Sequence, residues 1–186
     1  FPMISVRDYQ HCQLGDPCDE LSLQNPLTPE ESIMRSSLLP SLLKCVGHNL
    51  NRQAPSQTIY EIGACFSPQE ESISQSQWFF ALLTGERYNQ AFLPEDTARN
   101  RWDFFNTKGL AHDLLSQCRF TVSFGSNPVA YGHPIEQCAL MSGDTAIGAV
   151  GTVHPRICQA YSIDQQVMFI AVNLDLLAPS FSLQTT

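Results

Sequence analysis

Apolar and polar positions near the amino end of the chain predict a short strand, a polar stretch and a short helix. Residues 3–6 form the expected strand, and residues 7–24 are polar and rich in turn-forming residues. Thr28 is placed to cap a helix with Pro29 at its first position and Glu31 at its third. This is the pattern of a capping box, in which the missing N–H of proline costs nothing, so we expect a helix to begin there.

A stripe of leucines predicts a second helix directly after the first. Ser36 or Ser37 is placed to cap it, with Pro40 in its first turn. The helix is expected to continue to about Arg52. Its apolar side chains recur at helical spacing and are by default part of a core: Leu38, Leu39, Leu42, Leu43 and Val46.

Alternating and apolar runs predict antiparallel strands after this helix pair. Residues 58–66 form the first, in which Tyr60, Ile62, Ala64 and Phe66 share one face. Residues 78–85 are apolar enough for a strand that is buried on both sides. A short polar segment joins the two, which permits antiparallel pairing. Four further strands are expected, with a short helix after His154-Pro155 between the last two: residues 119–124, 136–141, 146–153 and 167–175.

One more helix is predicted over residues 102–118, after a loop at residues 86–101. Asp103 is its candidate cap, and the side chains expected to point inward are Phe104, Leu110, Leu114 and Leu115. Most connections are too short for parallel crossovers. The order of elements therefore predicts an α+β fold, an antiparallel sheet flanked by helices, with residues 1–186 as one domain.

Composition narrows the function classes. Apolar residues make up 43% and charged residues 15% of the 186 residues, an ordinary globular mix without a run long enough to span a membrane. The net charge of −8 disfavours direct binding to a phosphate backbone, so we expect no nucleic-acid contact by this chain. The chain begins Phe-Pro-Met-Ile, without a start Met or a basic leader, which we interpret as an excised piece of a longer protein.

The reactive side chains form few candidate sites. Seven cysteines without a CxxC pair are typical of reduced thiols in a cytosolic protein. Cys12, Cys18 and His11 are a candidate zinc site, although their spacing is wrong for a knuckle. Cys45 and His48 lie at i, i+3 on one helix and are a candidate thiol–imidazole pair, against a core position for Cys45 and an edge position for His48.

Several motifs together, in order from about residue 20 to 178, resemble the beta chain of bacterial phenylalanyl-tRNA synthetases. They are an Asn-Pro start, Met34-Arg35 before Ser-Leu-Leu-Pro, Asn49 to Gln53, a Glu-Ile-Gly strand, Asp103-Phe104-Phe105 with Lys108-Gly109, and Gly151 to His154-Pro155. The resemblance implies a class II synthetase catalytic module that has lost catalysis. In such a site one arginine grips the ATP α-phosphate and another holds the nucleotide's other end. The resemblance assigns these two positions to Ser67 and Leu176, which carry no charge.

The resemblance also implies partners and cofactors. The family works in the cytoplasm as two alpha and two beta chains, and the alpha chain activates phenylalanine with ATP and Mg²⁺ and charges the tRNA. This region is then expected to bind no cofactor or metal, to pack against the alpha chain and the remaining beta-chain domains, and to leave tRNA and membranes uncontacted. The residues expected to act as interface or structural anchors are Arg35, Leu38, Leu42, Asn49 and Arg52.

Two other classes remain open from the sequence. One is a free-standing enzyme, either a ligase with a rebuilt site or a hydrolase that uses Cys45 and His48. The other is a homodimerising module. The reactivity of the Cys45 thiol tests the hydrolase, and a mass measurement tests the dimer.

Overall fold

The computed structural model describes residues 3–15, 21–69, 72–87 and 100–177, and its centre is a six-stranded antiparallel sheet. The strands lie in the order β3-β4-β8-β7-β6-β5. Their bounds are β3 Gln57–Gln69, β4 Ser72–Thr84, β5 Ser123–Gly125, β6 Gly132–Ser142, β7 Thr145–Val153 and β8 Val167–Asn173. A separate two-stranded sheet pairs β1, Met3–Ile4, with β2, Ile33–Met34. The prediction of an α+β fold on an antiparallel sheet is confirmed.

Helices cover both faces of the large sheet. On one face, α2 (Leu39–Leu50) and α4 (Pro155–Ala160) form a core with Phe80, Leu82 and Phe169. On the other face, α3 (Phe104–Gln117) packs over β7 and β8. The central strands are therefore apolar on both sides, which is the reason β4 reads as a continuous apolar run.

The β3–β4 hairpin is antiparallel as predicted, but it is longer than expected, because residues 67–69 and 72–77 of the predicted polar connection extend the two strands. Ile62 lies opposite Phe79 and Gln57 opposite Thr84, so the two strands pair along their whole length. Tyr60 and Ile62 share a face as predicted, and they are 68% and 60% exposed because β3 is an edge strand. The hairpin thus carries a large apolar surface to the outside of the sheet.

The amino-terminal region differs from the prediction in two ways. Val6, expected at the end of a strand, and residues 7–11, expected to be polar and turn-rich, form the helix α1 (Val6–His11), which is capped by Ser5 and Asp8. The expected helix after Thr28 is only a 3₁₀ turn, Pro29–Glu31, in which the Thr28 side chain makes no capping bond. The chain enters β2 at Ile33 instead, because Ile33 pairs with Ile4 in the small sheet.

Helix α3 begins at its predicted cap but buries a different stripe. The Asp103 side chain accepts a hydrogen bond from the Asn106 N–H, and the Asn106 side chain accepts one from the Asp103 N–H. The residues that face the sheet are Thr107, Ala111 and Leu115, whereas Leu110 and Leu114 are 37% and 36% exposed. The prediction of Leu110 and Leu114 as inward residues is wrong, since the small side chain of Ala111 lets the helix approach the sheet closely.

The remaining predicted elements are present within the described residues, except that the strand expected at residues 119–124 is reduced to β5, Ser123–Gly125. The short helix after His154 is α4, in which the Arg156 N–H donates to Nδ1 of the His154 side chain. Of the loop expected at residues 86–101, residues 88–99 lie outside the described residues, and Glu86 and Arg101 form an isolated antiparallel bridge. In the described part of the chain, no helix has the length and apolar character that crossing a bilayer requires.

Candidate functional site

Arg35 links the end of β2 to the edge of the large sheet. Its side chain is buried, with Nη1 2.7 Å from Glu61 Oε1 and Nε donating to the Ala64 carbonyl at 2.9 Å. The Arg35 carbonyl in turn accepts a hydrogen bond from the Phe66 N–H at 2.9 Å. The residue therefore satisfies backbone groups on the outer edge of β3 that would otherwise have no strand partner.

Gly63 makes room for this arginine. A Cβ atom at Gly63 would lie 2.3 Å from Arg35 Nη2, closer than real Cβ contacts allow. The guanidinium thus crosses the β3 backbone at the Gly of the Glu-Ile-Gly strand. Arg35 is only 6% exposed and contacts this chain's own strand, and its role as an interface or structural anchor stays a prediction.

The other predicted anchor residues on α2 divide into internal and exposed positions. Leu38 and Leu42 are 0% and 6% exposed and belong to the core. Asn49 is half-buried, and its side chain donates to Gln57 Oε1 at 3.0 Å, which ties the end of α2 to the start of β3. Arg52 is exposed just beyond the helix. Of the predicted residues on this helix, only Arg52 therefore presents its side chain fully to the outside.

The described residues show no hydrogen bond between Cys45 and His48, and they include only part of the candidate zinc cluster. Cys45 and His48 are both exposed on α2, so the alternative that placed Cys45 in the core is wrong. For the zinc prediction, Cys18 lies outside the described residues, while Cys12 is fully buried. Among the residues that the structure describes, no three His, Cys, Asp or Glu side chains come together in a way that could hold a metal ion.

The two positions assigned to lost arginines lie toward the same end of the sheet, because Gly63, which precedes Ser67 on β3, and Asn173, which precedes Leu176 after β8, both align with Trp78 on β4. Ser67 is exposed on β3 opposite Ser74. Leu176 is 43% exposed in the turn that follows β8. Neither side chain can hold a phosphate by charge. Their assignment to a nucleotide site stays a prediction that rests on the resemblance.

An apolar groove lies beside Leu176, between α3 and the edge of the sheet. It has a volume of about 510 Å³ and we call it the α3 groove. The described residues that line it are apolar apart from one cysteine: Ile62, Phe79, Leu114, Leu115, Cys118, Phe120, Val172, Leu174 and Leu177. No charged side chain is among them. The groove suits an apolar segment and is unsuited to a triphosphate.

A buried polar network joins α1 to α2 and α4, and sequence reasoning missed it. The Asp8 carboxylate is only 5% exposed and accepts hydrogen bonds from Ser5, from Lys44 Nζ at 2.6 Å and from the Tyr161 hydroxyl at 3.1 Å. Because Tyr161 donates to Asp8, the Cys12 thiol, 3.4 Å away, donates to Tyr161. The only sequence signal was the Ser5-x-x-Asp8 spacing of a capping box.

The network shifts the pKa values of its members. Burial by itself raises the pKa of Asp8, but hydrogen bonds from Lys44 and Ser5, with the charge of Lys44, outweigh it and lower the pKa below 3.8. Burial raises the pKa of Cys12 to about 12 and also raises that of Tyr161. Asp8 is therefore the negatively charged member of the network, opposite Lys44, and the thiol and phenol stay neutral at ordinary pH.

The architecture defines the chain as a class II aminoacyl-tRNA synthetase-like module. A solved structure of a pyrrolysyl tRNA synthetase from Desulfitobacterium hafniense superposes with a TM-score of 0.64 over 97% of this chain and 61% of that one. The sequence identity is 16%, so this likeness concerns the fold alone. The predicted fold class is confirmed.

Sequence comparison narrows the class to one family. Residues 1–174 match the model of the phenylalanyl tRNA synthetase beta chain CLM domain, and the chain belongs to this family. Phenylalanine–tRNA ligase beta subunits from Chlamydia pneumoniae and Syntrophotalea carbinolica are 33% and 31% identical over 86% and 87% of the chain. The chain spans about one fifth of the length of these relatives, 20% in both. The resemblance drawn from the motifs is confirmed.

Proposed function

We propose that this chain is a catalytically silent synthetase-like domain of a phenylalanine–tRNA ligase beta chain. Its role is to support assembly with the alpha chain, in an enzyme of two alpha and two beta chains that ligates phenylalanine to its tRNA with ATP and Mg²⁺. The domain itself binds neither ATP nor metal. The remaining beta-chain domains, which the relatives carry beyond the fifth matched here, are its other partners.

The missing cations carry this proposal. Catalysis of adenylate formation needs positive groups at the phosphates, because negative charge develops there in the transition state. The family pattern assigns two such positions to Ser67 and Leu176, an exposed hydroxyl and an exposed aliphatic side chain. The α3 groove beside Leu176 has no charged lining residue among those described. A net charge of −8 further opposes the approach of a nucleotide or of tRNA.

The outer side of α2 is the surface we propose for the alpha chain. Leu38 and Leu42 fix the helix to the core, and Asn49 fixes its end, so the helix is a rigid support. The helix exposes Lys44, Cys45 and His48, and Arg52 is one of the exposed residues at positions 51–53 just beyond its end. A charged residue at the rim of an interface acts mainly through electrostatic complementarity with its partner.

Nucleotide titration tests the silent role. We expect no heat of Mg-ATP binding in calorimetry with the isolated chain, and no phenylalanine-dependent exchange of pyrophosphate into ATP. The alpha chain in the same assays is the positive control. Specific binding of Mg-ATP by the isolated chain contradicts the proposal and revives a ligase with a rebuilt site.

Light scattering on size-exclusion effluent tests the assembly role. The chain is measured alone and then mixed with the alpha chain of the same organism, and we expect a mixed complex. Arg52→Glu is expected to weaken that complex by about tenfold or more, equal to about 1.4 kcal/mol. Arg156→Glu makes the same charge change on an exposed part of α4 and serves as the control.

The outcomes separate the rival functions. A homodimer of the isolated chain without affinity for the alpha chain favours the homodimerising module. No association of a folded sample with the alpha chain, repeated with the full-length beta chain, contradicts the assembly role. An unusually acidic Cys45 thiol, measured by alkylation against pH, favours the hydrolase.

A further inference from the structure

The outer edge of β3 is capped at one end by Arg35. The Arg35 carbonyl accepts a hydrogen bond from the Phe66 N–H, and Nε of Arg35 donates to the Ala64 carbonyl, so these groups of β3 point away from β4. Both backbone groups of a residue in an antiparallel strand point to the same side, and that side alternates along the strand. Because β3 pairs with β4 without a register shift, the even-numbered residues before Ala64 also point their N–H and C=O groups outward.

Three residues form the open part of this edge: Thr58, Tyr60 and Ile62. Within the part of the chain that the structure describes, no hydrogen bond is present at their outward N–H and C=O groups. We call residues 58–62 the open β3 edge, which is about 17 Å long at the rise of a strand. A row of unpaired backbone donors and acceptors at this spacing fits one more strand, since a strand presents the same groups at the same spacing.

The side chains of the open β3 edge lack the features that usually protect an edge strand. Residues 58–62 contain no proline, no lysine and no bulge, and their one charged side chain, Glu61, is paired with Arg35. Tyr60 and Ile62 are instead 68% and 60% exposed, and Ile62 also lines the α3 groove. The edge therefore combines exposed apolar side chains with unpaired backbone groups.

We propose that the open β3 edge binds an extended segment of a protein partner, which adds one strand to the large sheet. The segment carries apolar side chains at alternate positions, because those opposite Tyr60 and Ile62 lie on the same apolar face. Lysine or arginine at its ends complements a chain of net charge −8, and the same charge opposes a second copy of this chain as the occupant. Arg35 sets the end of the added strand, since it already bonds the backbone of Ala64 and Phe66.

Amide hydrogen exchange of the chain, followed by NMR, tests whether this edge is open. We expect the N–H groups of Tyr60 and Ile62 to exchange roughly a hundredfold faster than those of Ile59 and Glu61, which point toward β4. The probe partner is a blocked peptide of alternating valine and threonine with a lysine at each end. Its addition is expected to slow exchange at Tyr60 and Ile62 about tenfold or more. Equal protection of all four amides in the free chain overturns the proposal, because the edge is then already covered.

Proline at residue 60 separates strand addition from unspecific apolar contact. Tyr60→Pro removes an outward N–H that bonds nothing in the described sheet, so the hairpin is expected to form, as proline is tolerated on edge strands. Its affinity for the peptide is expected to fall about tenfold or more, because the added strand loses a hydrogen bond. Tyr60→Val removes the aromatic ring but keeps the N–H, and is expected to bind the peptide within about threefold of the wild type. Unchanged protection of the Leu82 amide on β4 verifies that both variants keep the sheet.

Three results overturn the proposal. The first is the absence of saturable peptide binding by the wild-type chain, and the second is equal affinity of the peptide for Tyr60→Pro and Tyr60→Val. The third is protection of the Tyr60 and Ile62 amides that increases with the concentration of the chain alone, which assigns the edge to a second copy. The edge is separate from the outer side of α2, so these results leave the proposed alpha-chain surface to its own experiment.

Discussion

Replacement of Gly63 by alanine is expected to destabilise the protein only when Arg35 is present. In the wild type the new Cβ would lie 2.3 Å from Arg35 Nη2, so the guanidinium must move. It is held by Glu61 at 2.7 Å and by the Ala64 carbonyl at 2.9 Å. Because both contacts constrain it, the shift weakens at least one of them.

The magnitude follows from these contacts. A hydrogen bond to a charged group contributes about 1.5–3 kcal/mol, which we lower to about 1–2 kcal/mol because the Glu61 side chain is 34% exposed and screened by solvent. Overpacking adds to this, so we expect Gly63→Ala to reduce the free energy of unfolding by about 2 kcal/mol. Arg35→Ala alone is expected to cost about 2–3 kcal/mol, since it leaves the Ala64 carbonyl and Glu61 without their partner.

The double variant Arg35→Ala with Gly63→Ala tests whether alanine at residue 63 is unfavourable because it clashes with the Arg35 guanidinium or because of the backbone at residue 63 itself. Without the guanidinium, the atom nearest to a Cβ at residue 63 is Glu61 Oε1 at 3.2 Å, the end of a flexible side chain. Alanine then restricts the unfolded chain and stabilises by about 0.5 kcal/mol. The coupling energy between residues 35 and 63 is therefore expected to be about 2 kcal/mol or more.

Urea unfolding followed by tryptophan fluorescence measures the four free energies of this cycle. Gly109→Ala is the control, because an added Cβ there meets no atom within 4 Å and should stabilise α3 equally in both backgrounds. If Gly63→Ala costs the same with and without Arg35, the guanidinium does not set the requirement for glycine and the reasoning fails.

Three further predictions concern the network and the caps. Lys44→Gln is expected to lower stability by about 0.5–1 kcal/mol at pH 7, because the contact with Asp8 is lost while half of the Lys44 side chain is in water. The pKa of Asp8 is lower in the folded chain than its unfolded value of 3.8. The contribution of Lys44 is therefore present above pH 3.8 and is lost as the pH falls through the pKa that Asp8 has in the folded chain. Urea unfolding curves of wild type and variant should converge in acid. Alkylation at pH 8 should modify Cys45 in the folded chain and spare Cys12, whose pKa is raised to about 12 by burial; equal rates would contradict the buried network. Asp103→Ala should cost about 1 kcal/mol through loss of the α3 cap, and a thermal midpoint unchanged from wild type would refute that role.

Elements with strong local patterns were predicted correctly. The leucine stripe of α2 and the Asp103 cap depend on residues within a few positions of one another, and each strand of the β3–β4 hairpin has its own alternating or apolar run. Helix α1 was missed, although Ser5 and Asp8 have capping-box spacing, because six residues are too few to display a helical period. The helix predicted from the capping pattern at Thr28 does not form, because a short helix is only marginally stable and Ile33 pairs in the small sheet instead.

The candidate site shows the same difference between local patterns, which the sequence displays, and long-range contacts, which it does not. Arg35 was identified as an anchor from its motif, yet its contacts with Glu61 and Ala64 join segments 26 and 29 residues apart. The Asp8–Tyr161 hydrogen bond spans 153 residues. Leu110 and Leu114 fit an inward stripe on sequence grounds, but packing against the sheet selected Ala111 instead. No pattern among neighbouring residues indicates which side chains a distant segment will contact or cover.

The sequence by itself determined the fold class, the family and most strand and helix positions, because periodicity, capping and ordered motifs are written in neighbouring residues. Only the tertiary structure decided which side chains are anchors and which are surface, and it alone revealed the α3 groove. The physical reason is that burial depends on what the rest of the chain brings against each face. By its position in the alternating pattern of its strand, Ile62 cannot be distinguished from a core residue. It is exposed because β3 lies at the edge of the sheet and helix α3 does not cover it.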